Sequence, residues 1–164
     1  DRPTAPEMPA SVLEKVADLD LPPGNIAVSE EGRIFFTFHP EAKPEVNVAE
    51  WVNGKPVPYP EDLPEILAYQ SVLSLRIDRH NRLWILDNAN HGTGTPRILA
   101  IDLSTDRVVH RHNFDSSIAG VGSHLNDFQV SSDGKMIYIA DASIFRKDPE
   151  LVIYDVERQT ARRD

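Results

Sequence analysis

A hairpin pattern that recurs about every fifty residues constrains the fold of this chain more than any other feature. Each copy has an apolar segment, a short polar turn and a second apolar segment. The turns are centred on Gly32, Asn81 and Gly134. Gly and Asn both adopt positive φ readily, as a tight hairpin requires. The three hairpins span residues 26–36, 74–86 and 128–140.

A second hairpin follows the first in every copy. It begins with an apolar segment at 48–52, 98–103 and 151–156, and each segment leads through a polar turn to a short further strand. Two hairpins per repeat make a four-stranded unit, which is one blade of a β-propeller. The sequence therefore predicts an all-β fold with three four-stranded blades. An antiparallel sandwich is the alternative, and the near-constant spacing disfavours it.

The repeat also predicts the organisation of a single partial propeller domain. Blade one is expected at 24–60, blade two at 70–114 and blade three at 125–164, with a lone strand at 12–19 before them. Closing a ring normally takes about four to eight blades. The three blades are thus either half of a six-bladed chain, which we favour, or one of two copies that complete a ring. Exposed blade edges of such a half would favour self-association.

Charge and composition exclude several classes of function. The formal net charge is −9, which opposes binding to nucleic-acid phosphates and anionic membrane surfaces. No apolar run reaches the roughly 18 residues of a membrane-spanning helix. The chain has no cysteine, so thiolate catalysis and disulfides are excluded. No nucleic-acid partner and no membrane insertion are expected, and a small-molecule ligand is the remaining partner class.

Several segments together resemble the bacterial branch of the Yellow/major royal jelly protein family. The resemblance lies in their order and spacing, at 32–36, 69–72, 82–87, 96–103, 125–127, 138–142 and 151–155. It implies a six-bladed propeller of about twice this length. It also implies a secreted or periplasmic protein, although residues 1–10 show no signal-peptide pattern. Most members of the family have no established reaction, and some are named for dopachrome conversion.

The start of each inner strand predicts where a site would lie. In a propeller these positions converge on the central channel. The position eight residues before each turn residue is Gly24, Leu73 and Asn126 in the three copies. Asn126, Asp127 and the preceding His124 are therefore predicted to bind a ligand at the axial channel. The alternatives are turn capping by Asn126 and Asp127 and a solvent-facing role for His124.

A second candidate is the loop that follows the second strand of blade two. Asp87 and Asn88 begin this polar, glycine-containing segment, which spans 87–94. Such a composition suits a loop over the mouth of the channel, where binding groups tend to lie. We therefore include Asp87 and Asn88 among the predicted ligand-binding residues. A solvated connection without function is the alternative.

A divalent cation is the one cofactor that the sequence suggests. Residues 126–127 and 132–134 resemble the gluconolactonase/calcium-dependent phosphotriesterase propellers. That resemblance implies calcium or another divalent ion on the axis, with Asn126 as a metal ligand. Gly24 stands where those proteins carry a Glu, and Leu73 offers no oxygen from its side chain. Calcium needs about six to eight oxygen ligands, so most would have to come from elsewhere.

Three hypotheses about function follow. The first is a small-molecule-binding propeller of the Yellow/major royal jelly type, with its ligand at the axial channel. The second is a metal-dependent lactonase or esterase of the gluconolactonase type, in which the ion would polarise a carbonyl or activate water. The third is a non-catalytic interaction scaffold. Whether the chain is an enzyme is left open.

Overall fold

The computed structural model describes residues 8–62, 68–143 and 145–164. In them, twelve strands form three separate four-stranded antiparallel sheets, and each sheet pairs its strands in chain order. This confirms the prediction of three propeller blades. Blade one contains β1 (Pro23–Val28), β2 (Ile34–Phe38), β3 (Val48–Val52) and β4 (Lys55–Pro58). Blade two contains β5 (Val72–Ile77), β6 (Arg82–Asp87), β7 (Arg97–Asp102) and β8 (Arg107–Asn113). Blade three contains β9 (Leu125–Val130), β10 (Met136–Asp141), β11 (Glu150–Asp155) and β12 (Thr160–Arg163).

Helical structure in the described residues is confined to single turns. These are 3-10 turns at Ala10–Val12 and Pro40–Ala42 and the short helices α1 (Ala89–Gly92) and α2 (Ser116–Ala119). The side chain of Asp115 caps α2 by accepting hydrogen bonds from the Ser117 and Ile118 amides. None of the helices described is long and apolar enough to cross a membrane.

The hairpin turns adopt the backbone conformation that their residue types predict. Gly32, Asn81 and Gly134 have φ values of 84°, 56° and 72°. This left-handed region is costly for most L-residues and is tolerated best by Gly and Asn. The same turn chemistry therefore closes the first hairpin of all three blades.

The expected lone strand at 12–19 is absent from the structure. A 3-10 turn at Ala10–Val12 is followed by an irregular segment whose backbone pairs with no strand among the described residues. Leu19, at its end, and Leu21 pack instead on a cluster that contains Phe36 and Phe38 of β2. The segment lies over a face of blade one, so its backbone does not reach a sheet edge. The structure thus has no strand at 12–19, and Val12, Leu13 and Val16 are mainly exposed.

Two hydrophobic cores join the blades, and β5 lies between β1 and β9. The core between blades one and two includes Phe35, Leu75 and Leu83. The core between blades two and three includes Trp84 and Phe128. Each blade thus has a forward face, which is directed toward the next blade in chain order, and a backward face, which is directed toward the preceding one.

The two outermost faces expose positions that are buried inside the molecule. Leu75 and Phe128 on the backward faces of blades two and three are 0% and 2% exposed, whereas Ile26 at the same repeat position in blade one is 61% exposed. On the forward faces, Phe35 and Trp84 are fully buried, but Tyr138 of blade three is 40% exposed. The residues of an inter-blade junction are therefore present on both outermost faces.

Candidate functional site

All three inner strands carry a β-bulge close to the position that the repeat predicts for the channel. The register with the second strand shifts between Pro23 and Ile26 in β1 and between Val72 and Ser74 in β5. In β9 the shift leaves Asn126 as the extra residue, because Leu125 pairs with Asp141 and Asp127 with Ala140. A bulge bends its strand and re-aims the neighbouring side chains. The three inner strands therefore have a backbone bulge at about the same distance from their hairpin turns.

An arginine links the inner strands of the three blades just after these bulges. Arg76 Nη2 donates to both carboxylate oxygens of Asp127 at 2.8 Å, and Nη1 donates to Asn25 Oδ1 at 2.8 Å. Ser74 Oγ donates to Asp127 Oδ1 at 2.5 Å. Asn25, Ser74 and Asp127 occupy the same repeat position, seven residues before the turn. Blades one, two and three therefore contribute to one polar cluster.

This cluster is accessible from one side. The Arg76 side chain is 24% exposed and the Asp127 side chain 48%. The opposite charges of the partners strengthen such a pair, but its exposure to water weakens it. Asp127, which was predicted as a ligand group, thus presents a half-exposed carboxylate that a ligand can approach. Arg76 was not predicted, although it is the only charged residue between the apolar residues of its strand.

His124 lies in a small aromatic cluster. Its ring contacts the ring of His91 edge to face, with centroids 4.5 Å apart, and His91 in turn lies 5.2 Å from the ring of Phe145. Nδ1 of each histidine is buried and has no hydrogen-bond partner among the described residues. Burial, followed by repulsion from His91, lowers the pKa of His124, although Asp141 and Glu41 act in the opposite direction.

His91 reaches this cluster through a strained loop. Ala89, Asn90 and His91 have φ values of 52°, 53° and 58° in succession. A left-handed conformation costs an L-residue with a side chain about 1–2 kcal/mol. The Gly122 amide donates to the His91 carbonyl at 2.9 Å and holds the loop in place. Strain of this kind tends to persist at functional sites.

Close backbone packing completes the contact between the two loops. A Cβ built on Gly92 would lie 2.2 Å from the Gly120 carbonyl oxygen. No side chain fits at that distance, so a glycine is required for the loop 88–94 to approach the loop 120–124. The sequence interpretation missed His91 because a run of left-handed residues other than glycine has no recognisable pattern. The one sequence feature that could have indicated this close contact between the loops is the glycine at position 92.

Asp87 and Asn88, which were predicted as ligand groups, support the loop from beneath. Asp87 is fully buried. Its carboxylate accepts hydrogen bonds from the backbone amides of Gln70, Ser71 and Ala89 and from Arg97 Nη2. Asn88 is also buried, and its Oδ1 accepts from the His91 amide at 3.1 Å. Neither polar group faces open space, because both are occupied in holding the backbone.

Blade three repeats this support under His124. Asp141 is buried at the end of β10, where Asp87 ends β6. It accepts hydrogen bonds from the His124 amide at 2.7 Å and from the Ser143 amide at 2.9 Å. Arg163 Nη1 of the outermost strand donates to its other oxygen at 3.0 Å. A buried carboxylate therefore positions each of the two histidine loops.

Asn126 is half-buried beside the Arg76 cluster. Within the ranges described, no group of three or more His, Cys, Asp or Glu side chains is placed to hold a metal ion. The neighbouring carboxylate, Asp127, is already bound by Arg76. These residues alone do not fit a calcium site.

Comparison with known proteins identifies the family. The family model described as "Major royal jelly protein" matches residues 70–163. Among solved structures, hydrazine synthase from Kuenenia stuttgartiensis is 15% identical, with a TM-score of 0.47, over 91% of this chain and 37% of that chain. The present chain thus spans well under half of that protein, and a likeness at this level carries no argument about function. No curated protein matches. Because the family match covers blades two and three and more than half of the chain, the protein belongs to the major royal jelly protein family.

Proposed function

We propose that this chain forms part of a ligand-binding β-propeller and that a small molecule binds at the axial end of its inner strands. The proposed site contains Asn126, Asp127 and His124, together with Arg76 and His91. One observation carries the proposal: the half-exposed carboxylate of Asp127 lies in a polar cluster to which all three blades contribute. A packing interface would favour apolar residues at this position.

The chemistry of the cluster suggests the class of ligand. Asp127 accepts hydrogen bonds, Arg76 donates them, and the imidazoles of His91 and His124 do either. A small polar molecule with a hydrogen-bond donor directed at Asp127 would satisfy this arrangement. A cationic group on the ligand would compete with Arg76 for the carboxylate. The proposal is for binding, and no reaction is assigned.

The proposal includes a complete ring of six blades and an exported protein. The exposed junction residues, Ile26 on blade one and Tyr138 on blade three, support further blades on both sides. A closed ring would surround the Arg76 cluster and turn its open side into a channel. Export is the expectation for a member of this family.

A ligand screen on the whole chain tests the proposal. Compounds that bind the folded state raise its melting temperature, and isothermal titration calorimetry then gives their Kd. Asp127→Asn keeps the shape of the side chain and removes its charge. We expect a hit to bind this variant about tenfold more weakly or worse. Asp18→Asn is the matched control, because Asp18 lies in an exposed surface pair with Lys15.

Two outcomes would contradict the proposal. A screen of polar small molecules without a single hit would remove the ligand, and hits that bind Asp127→Asn as tightly as the unaltered chain would place them elsewhere. Calcium added in the same assay examines the metal-dependent alternative. A cation site would raise the melting temperature in proportion to the logarithm of the calcium concentration.

A further inference from the structure

We propose that His91 and His124 form a pH-operated latch, which holds the loop 88–94 against the loop 120–124 at neutral pH and releases it on acidification. The latch would control access to the ligand site, and only this regulatory role rests on the proposed function. The opening itself is a property of the chain without a ligand.

The buried Nδ1 atoms make the closed pair intolerant of protons. A neutral imidazole has one nitrogen that needs no acceptor, whereas a protonated imidazole donates from both nitrogens. Neither His91 Nδ1 nor His124 Nδ1 has an acceptor among the described residues. Protonating either ring would therefore leave a charged donor buried without a partner, which is unfavourable.

The contact between the rings adds to this effect. The centroids lie 4.5 Å apart, so two protonated rings would repel each other at close range. Phe145, at 5.2 Å from His91, offers an apolar surface and no hydrogen-bond acceptor from its side chain. The closed arrangement is consequently compatible with neutral rings and incompatible with two charged ones.

The strained backbone supplies a force toward opening. Three successive residues with side chains, Ala89 to His91, are in the left-handed region, which is unfavourable for most L-residues. The hydrogen bond from the Gly122 amide to the His91 carbonyl and the packing of Gly92 on Gly120 oppose this strain. Once the ring contact turns unfavourable, relaxation of these residues favours release.

Other charged groups around the two rings influence whether His124 is neutral or protonated. Asp141, from β10, and Glu41, from the 3-10 turn Pro40–Ala42, favour a protonated His124, whereas burial and His91 disfavour it more strongly. Arg163 donates to Asp141 and reduces its attraction for a proton on His124. Arg146 lies beside Gly122 and adds positive charge near the loops. The pKa of His124 is therefore lower in the closed loop than in the open one, so acid favours the open one.

Amide hydrogen exchange of the unliganded chain, followed by NMR, tests the latch. The Gly122 amide reports on the contact with His91, and the Gly92 amide reports on the loop itself. Between about pH 7.5 and about pH 5, after correction for the intrinsic exchange rate, we expect Gly122 to lose about tenfold or more of its protection. Amides of β6, such as Ile85, should keep theirs.

Variants assign the transition to the two rings. His91→Phe keeps an aromatic ring in the cluster but does not titrate, and His124→Gln removes the other ring. Each single variant should lose part of the pH dependence at Gly122, and the double variant His91→Phe, His124→Gln should lose all of it. His80→Gln is the control, because His80 lies on the hairpin turn of blade two, at 3.1 Å from the Asp133 carbonyl. It should leave the transition in place.

The latch would be refuted by Gly122 protection that stays within about twofold across the pH range. It would also be refuted by a loss of protection that persists in the double variant His91→Phe, His124→Gln. NMR of the His124 ring in the unaltered chain keeps the test valid if a variant fails to fold, since protonation of His124 must accompany the exchange transition. An intact transition with an empty ligand screen would defeat the proposed function alone.

Discussion

Replacement of Asp87 by alanine should destabilise the chain more than the loss of any surface charge. Asp87 is fully buried and accepts four hydrogen bonds, from three backbone amides and one Arg97 nitrogen. Asp87→Ala removes all four acceptors at once. The amides belong to the residues just before β5 and to α1, so the damage should centre on the loop that carries His91.

The magnitude follows from the kinds of bond that are lost. Breaking one side of a buried ion pair costs about 3–5 kcal/mol. Hydrogen bonds to a charged group contribute about 1.5–3 kcal/mol each, but they are not additive when water can reach the freed groups. We therefore expect a loss of about 4 kcal/mol. This is a large part of the roughly 5–15 kcal/mol that stabilises a typical domain.

Urea denaturation measures the effect. With a slope of about 2 kcal/mol per molar urea, a loss of 4 kcal/mol lowers the midpoint by about 2 M. Asp141→Ala, the equivalent change in blade three, should behave alike. Asp18→Ala should change the free energy of unfolding by less than about 0.5 kcal/mol, since Asp18 pairs with Lys15 on the surface. A loss below about 1 kcal/mol at both Asp87 and Asp141 would refute the assignment of these carboxylates as supports.

Two further predictions concern packing between and within blades. His110 Nε2 lies 2.8 Å from the Tyr154 hydroxyl, and burial is the main cause that lowers the pKa of both His110 and His112. In the unfolded chain these histidines protonate near pH 6.5, so their contribution to the free energy of unfolding should be full above that pH and fall below it. Urea midpoints measured from about pH 8 to about pH 5 should show this fall. The double variant His110→Gln, His112→Gln should make the midpoint less dependent on pH. Gly92→Ala should cost about 2 kcal/mol or more in the same assay, because φ is 72° and the new Cβ would meet the Gly120 oxygen. Gly32→Ala has φ 84° and nothing within 4 Å, so it should cost only about 1 kcal/mol; equal losses would contradict the steric argument.

The blades could be predicted because their determinants are local. A turn residue that tolerates positive φ and two flanking apolar segments lie within about a dozen residues of each other, so each hairpin is encoded in its own segment. The segment 12–19 has no such partner nearby. Whether it pairs with a strand or packs on a face depends on distant residues, and it packs through Leu19 on blade one.

The candidate site was predicted in part for the same reason. Asn126 and Asp127 follow from the constant distance between each turn and its bulge. The contact between His91 and His124 joins loops of different blades and depends on three left-handed residues with side chains. The two histidines are far apart in the sequence, and no local pattern predicts the left-handed run, so the sequence alone does not reveal their contact. Asp87 and Asn88 were predicted as ligand-binding residues of this loop, but their burial and hydrogen bonds, which the sequence does not reveal, show that they hold its backbone.

Two neighbouring repeat positions separate the residues that pack the blades together from those that form the proposed ligand site. Ile26, Leu75 and Phe128 share one position and are all apolar, because this side of the inner strand packs against the preceding blade. Their neighbours one residue earlier, Asn25, Ser74 and Asp127, are all polar but differ in size and charge. Packing does not fix their identity, since bulges direct them to the Arg76 cluster. Changes at this second position should therefore alter the proposed ligand site while the blades, which depend on the first position, stay intact.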